Sequence, residues 1–210
     1  MEEDAEKMET TKVYFVRHAQ PNFKWIDDLT RPLTSEGEQD KKIVLDFFKE
    51  KNITVDEFYC SPYKRSVDTI KETAKYFRKE IKKDFRLRER EKGPDGNTHG
   101  MFEKRWADFD LHEEGGESLR MVEMRNVEAL QEILQENQGK TIVIGTHGTA
   151  LSTIFHHYNP EFGCKDFLRI IDWMPYVVEL DFEKDKLLRI TEWCHIEKEF
   201  KGNNRADKRH

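Results

Sequence analysis

The chain has 210 residues, 36% hydrophobic and 37% charged, and its 36 Lys and Arg against 42 Asp and Glu leave a formal net charge of −6. That length suits one domain with a real core, and 14 Phe, 6 Tyr and 4 Trp exclude a disordered chain. The acidic balance argues against nucleic acid as a partner, because such binding needs a broad basic surface.

No apolar stretch approaches the roughly 20 residues that span a bilayer, so no membrane partner is expected. The first residues are acidic and polar, unlike a secretory signal or a basic transit peptide. Cys60, Cys164 and Cys194 are widely spaced and odd in number. They read as reduced thiols and suggest a cytoplasmic location rather than a disulfide framework or a Cys-based zinc site.

Residues 1–11 read as an acidic arm, 12–196 as one domain, and 197–210 as a polar tail. Val13 to Val16 is a short apolar run, expected to be a buried strand. Ser35, with Glu38 three residues on, predicts a capped helix start. Ile43, Val44, Phe47 and Phe48 continue it at helical spacing. Phe58 to Cys60 ends a second strand. A helix follows from about Tyr63 to Arg78, with Val67, Ile70, Ala74 and Phe77 on one face. Phe85 to Leu87 reads as a short strand.

Residues 91–117 gather Gly, Pro and polar residues around Met101, Phe102, Trp106 and Phe109, the pattern of a substrate loop or lid that packs down. Leu119 to Leu134 predicts a long amphipathic helix, Thr141 to Ile144 a buried strand, and Gly148 to His157 another helix. Tyr176 to Phe182 and Leu187 to Trp193 form a hairpin turned over Lys184 and Asp185. This alternation predicts an α/β class, a three-layer α/β/α fold with a mostly parallel central sheet.

Two strands end in a histidine. Val13 to Val16 runs into Arg17-His18, and Ile142 to Thr146 runs into His147-Gly148. Ligands bind at the carboxyl ends of strands in open α/β sheets. A third strand end, Cys60-Ser61-Pro62, leads into a helix that carries Arg65. Two imidazoles and two guanidiniums at one spot call for an anion, and arginine forks match phosphate oxygens. Amides opening the helix after His147, at Gly148, add partial positive charge. No metal is expected: His147 and His156 are nine apart, about half a turn out of register on a helix.

The segments VRHAQ, PLTSEGEQD, YCSPYKRSVDTI, LRERE, EGGES and GTHGTAL occur in the order seen in the histidine phosphatase superfamily, the phosphoglycerate mutase-like phosphotransfer enzymes. The chain resembles that family over residues 12–195. The resemblance implies the phosphoglycerate mutase-like fold, a phosphohistidine formed on His18, phosphate clamps at Arg17 and Arg65, and His147 as the second pocket histidine. It implies Glu89 as acid and base, with Glu91, Glu103, Glu114 and Glu117 as competitors, and no cofactor.

One departure is Pro21, which stands where the mutases carry a hydroxyl residue; Asn22 is then the candidate substitute for phosphate binding. A paired-arginine run of the mutase kind is also missing. A phosphatase acting on a small phosphorylated substrate is therefore favoured. A mutase-like phosphotransferase and a non-catalytic phosphate-binding protein are the alternatives. His99, Phe102, Arg105, Trp106 and His112 either line the substrate mouth or only pack the 91–117 loop.

Overall fold

The structure, a computed structural model, describes residues 9–94, 96, 98 and 100–198. Most of the predicted acidic arm, His99 and most of the polar tail lie outside the described residues. Six strands form one sheet in the order β3-β2-β4-β1-β5-β6. β1 (Thr11–Arg17) lies between β4 (Thr141–Thr146), parallel to it, and β5 (Trp173–Glu183), antiparallel. β2 (Glu57–Cys60) pairs in parallel with β4 and with β3 (Ile81–Lys83). β6 (Lys186–Glu197) completes the predicted hairpin, which turns at Lys184-Asp185.

The period-2 geometry of a strand divides β1 between two cores. Val13 and Phe15 join Ile142 and Ile144 under α5 (Leu119–Glu136) and α6 (Gly148–Tyr158), through Leu130, Ile133, Leu151 and Ile154. Tyr14 and Val16 face α2 (Lys42–Glu50) and α3 (Lys64–Tyr76) through Val44, Phe48, Ile70 and Ala74. Helices thus cover both faces, which makes β1 and β4 continuous apolar runs rather than alternating ones.

Five local expectations change. The cap of α1 (Ser35–Asp40) is Thr34, whose hydroxyl accepts from the Gly37 amide at 3.0 Å. A Cβ at Gly37 would collide with the Gln20 carbonyl, so only glycine lets α1 sit on the segment that follows His18. Phe85–Leu87 is a 3-10 turn, not a strand, because Asp84 accepts from the Arg86 amide and closes it. The third strand is instead β3, an edge strand too polar to stand out. The 91–117 segment contains α4 (Met101–Ala107). A further helix, α7 (Cys164–Ile170), precedes β5.

Candidate active site

β1 and β4 are neighbours in parallel register, with Arg17 opposite Thr146. His18 and His147 therefore leave the sheet side by side, with ring centroids 5.2 Å apart. Both are buried. The His18 amide donates to the Thr146 carbonyl at 3.2 Å, so the main chain itself fixes the first imidazole.

The His18 tautomer follows from its neighbours. Nδ1 lies 2.8 Å from the Ala19 carbonyl, which can only accept, so the ring proton sits on Nδ1. Nε2 then carries the lone pair, and the Arg65 Nε–H donates to it at 3.3 Å. Burial, with Arg65 and Arg17 adding to it, pushes His18 well below the ordinary histidine range. The imidazole is neutral, with Nε2 available as a nucleophile.

His147 Nε2 lies 2.7 Å from Ser61 Oγ. That oxygen already accepts from the Tyr63 amide at 3.3 Å, so we assign the Ser61 proton to the contact with Nε2. The His147 proton is then on Nδ1, a buried donor with no partner among the described residues. Burial, followed by Arg65 and His18, lowers the His147 pKa strongly. The resting pocket thus holds a neutral second histidine.

Arg17 donates to the carbonyls of Ile170 and Ile171 at 2.7 and 3.0 Å. Its buried Nε has no partner among the described residues. Desolvation lowers its pKa to about 10, opposed by Glu89 and Asp172, so it stays charged at neutral pH. Gly148 lets the helix start approach this guanidinium: a Cβ there would meet Arg17 Cζ at 3.1 Å.

Glu89 closes the other side. Its Oε1 accepts from the Arg90 and Ala150 amides at 2.8 and 3.1 Å, and its Oε2 from the Thr149 amide at 3.1 Å. Three of four carboxylate lone pairs are thereby engaged, and the vacant one is on Oε2. A carboxylate at the start of α6 also suits the positive end of the helix.

Arg17, His18, Arg65, Glu89 and Gly148 all line one cleft, whose empty space is about 710 Å³ including its open mouth. His147 stands behind His18, off the cleft wall. Asn22 is also off the wall; its Oδ1 accepts from the Lys24 amide in a turn.

Of the loop residues, Phe102 lines the cleft, while Trp106 packs on Phe109, Phe162 and Phe167. Arg105 holds the Gly96 carbonyl at 2.6 Å, and His112 is exposed. Among the competing carboxylates, Glu117 is held by Arg88 and Arg125. Ser61, beside His147, and Asp28, Arg31 and Lys92, on the cleft wall, carry no distinctive signal in the sequence. Ser61 sits inside the YCSPYKRS segment, but Asp28 and Arg31 lie in a polar loop without periodicity.

The histidine phosphatase superfamily (branch 1) model matches residues 13–193. The chain belongs to this superfamily. No curated protein matches it significantly. Its fold is similar to that of a mycobacterial glucosyl-3-phosphoglycerate phosphatase, with a TM-score of 0.71 and 15% identity, covering 87% of this chain and 97% of that one. YhfR of Bacillus stearothermophilus aligns with a TM-score of 0.69 and 21% identity over 85% and 94% of the two chains. A phosphoserine phosphatase of Entamoeba histolytica, solved with 3-phosphoglyceric acid, aligns with a TM-score of 0.69 and 18% identity over 90% and 98%. Among the described residues, no helix is long and apolar enough to cross a membrane.

Proposed function

We propose that the protein is a phosphatase that hydrolyses small phosphate monoesters through a phosphohistidine on His18. The observation that carries this reading is the Nδ1–H to Ala19 carbonyl bond, which leaves the His18 Nε2 lone pair beside Arg65. Family membership supports it.

In the first step the Nε2 lone pair attacks phosphorus and the bond from phosphorus to the alcohol oxygen breaks. Glu89 supplies the proton that this oxygen takes up, from the vacant lone-pair position on Oε2. In the second step Glu89 removes a proton from water, the hydroxide oxygen bonds to phosphorus, and the P–N bond returns its electron pair to Nε2. One carboxyl group thus serves as acid and then base. Arg17 and Arg65 offset the charge on the transferring oxygens, where positioning and electrostatics supply most of the acceleration. His147 backs His18 as a neutral imidazole from behind the cleft wall.

The 12–196 region acts as one domain, with 91–117 forming the wall that selects the leaving group. Three free cysteines, one of them the buried Cys60, suit a reducing cytoplasm. The test is a rapid acid-free quench after mixing with a ³²P-labelled monoester. Wild type is expected to trap acid-labile, base-stable label, and His18→Ala neither to trap it nor to turn over p-nitrophenyl phosphate. Retention of most of that turnover in His18→Ala overturns the reading. Transfer of label to an added alcohol phosphate rather than to water makes the protein a mutase.

A further inference from the structure

Glu89 lies in a stretch without regular secondary structure, between the 3-10 turn at Phe85–Leu87 and the 91–117 segment. A group that delivers a proton must nevertheless stand within hydrogen-bond reach of the oxygen it serves. The α6 amides of Thr149 and Ala150 hold its carboxylate. Its main chain is held by α5. Arg125 Nη1 donates to the carbonyls of Arg86 and Arg88 at 2.6 and 2.7 Å, and Nη2 to the carbonyl of Glu89 at 3.1 Å. Nε and Nη2 also donate to Glu117 Oε1 and Oε2, at 2.8 and 2.7 Å. All five N–H groups of one guanidinium are thereby engaged.

Glu117 extends the grip past Glu89. Its Oε1 also accepts from Arg88 Nη2 at 3.0 Å, and its Oε2 from the Glu91 amide at 2.8 Å. The Glu117 amide in turn donates to the Glu91 carbonyl at 2.9 Å. The pair thus fixes the backbone at residues 86, 88 and 89 and again at 91, on both sides of the Glu89 side chain. Although burial opposes it, the bonds from Arg125 and the Glu91 amide hold the Glu117 carboxyl below its usual range, so it is ionised at neutral pH. The two side chains are only 11% and 13% exposed, which shields these charge-assisted bonds from water. Neither residue lines the cleft.

We propose that Arg125, braced by Glu117, is a positioning residue of the reaction: it sets where the Glu89 carboxyl stands and so governs delivery of the proton to the leaving oxygen. This deepens the phosphatase reading above and rests on it. A lysine at 125 keeps the charge, but a single ammonium cannot span five acceptors as the planar fork does. The 86–91 backbone is then free to shift, and a misplacement of about 1 Å at a reacting group costs up to about 10²-fold in rate. The loss falls on esters whose leaving oxygen needs the proton, because attack by His18 Nε2 does not pass through Glu89.

The experiment measures kcat/KM for phenyl phosphate and p-nitrophenyl phosphate, esters of similar shape whose leaving groups differ in their need for a proton. The phenyl to p-nitrophenyl ratio does not depend on how much of the enzyme is folded, so a purely structural loss leaves it unchanged. Glu89→Gln is expected to lower the ratio and sets the full size of the fall. Arg125→Lys is expected to lower it by about five- to tenfold, Glu117→Gln by less. Added to Glu89→Gln, Arg125→Lys is expected to lower it no further. An unchanged ratio in Arg125→Lys, or the same fall with and without Glu89, overturns the positioning by Arg125. If Arg125→Lys does not fold, Glu117→Gln decides by the same signs. Wild type that does not turn over p-nitrophenyl phosphate sinks the phosphatase reading itself.

Discussion

The floor and the rim of the cleft are built from different materials. The floor is the carboxyl edge of β1 and β4, where His18 is fixed by main-chain bonds to Thr146 and Ala19 and Arg17 by two carbonyls. The rim is a web of ion pairs. Glu113 accepts from Arg90 Nη1 at 2.9 Å and the Gly93 amide at 3.0 Å, and Arg125 clamps Glu117 at 2.7 Å. The difference separates two tasks. Chemistry needs atoms held to a fraction of an ångström, which a packed sheet provides. Selection among substrates needs charge at adjustable positions, which side chains on loops provide.

The largest effect is expected on the floor. Arg17→Gln removes a buried charge from the cleft floor and, on the proposed mechanism, should lower kcat/KM for p-nitrophenyl phosphate by about 10²- to 10³-fold. A loss below tenfold would mean that the floor is not where the charge is offset.

Next comes the rim. Glu113→Gln leaves Arg90 and Arg105 without their shared carboxylate in a buried setting. A loss of about 3 kcal/mol in urea unfolding is expected. Although burial opposes it, the bonds from Arg90 and the Gly93 amide hold the Glu113 carboxyl below its usual range. Equal stability in the variant would show the web to be ornamental.

A pH series distinguishes the two regions again. His18 and His147 are both depressed, chiefly by burial. The unfolded chain takes up protons on them below about pH 6.5 while the folded chain resists. Their contribution to stability is therefore full above that pH and declines below it, by up to about 2 kcal/mol per imidazole at pH 5. Chemical unfolding at pH 7.5 and pH 5 is expected to show this, with a shallower decline in His147→Gln. An identical decline in that variant would assign the effect to the rim carboxylates. The smallest effect concerns Thr34→Ala, expected to lose about 1 kcal/mol with the α1 cap. A thermal melt shifted upward, or not at all, would contradict it.

What could be read in the residues follows the same division. Val13 to Val16 and Ile142 to Thr146 stand out because both faces of the sheet are covered, and each run delivers its histidine directly. Glu89 is legible only through the family pattern, since two of its three carboxylate contacts come from Thr149 and Ala150, about sixty residues away. β3 escaped because an edge strand reading Ile-Lys-Lys needs little apolar surface. α7 has no clear signature because seven residues carry too little periodicity, and its start signal, the Gly163 amide to Asp166 bond at 2.9 Å, rests on a single side chain. Phe85–Leu87 reads as a strand yet forms a 3-10 turn, because apolar composition alone does not separate the two. The neutral state of His147 depends on burial and on Arg65, neither of which has a signature in sequence spacing.

Strand order also sets a schedule for synthesis. β1 emerges first, yet both its hydrogen-bonded neighbours come late: β4 begins at Thr141 and β5 at Trp173. The carbonyls that fix Arg17 belong to residues 170 and 171. A nascent chain therefore carries His18 without a pocket around it until β4 and β5 have been made. Pairings so distant in sequence close slowly, and until they do the apolar run at Val13 to Val16 is an unguarded sticky segment on the ribosome. The arrangement that makes the finished enzyme rigid at its centre makes its birth dependent on the last strands to arrive.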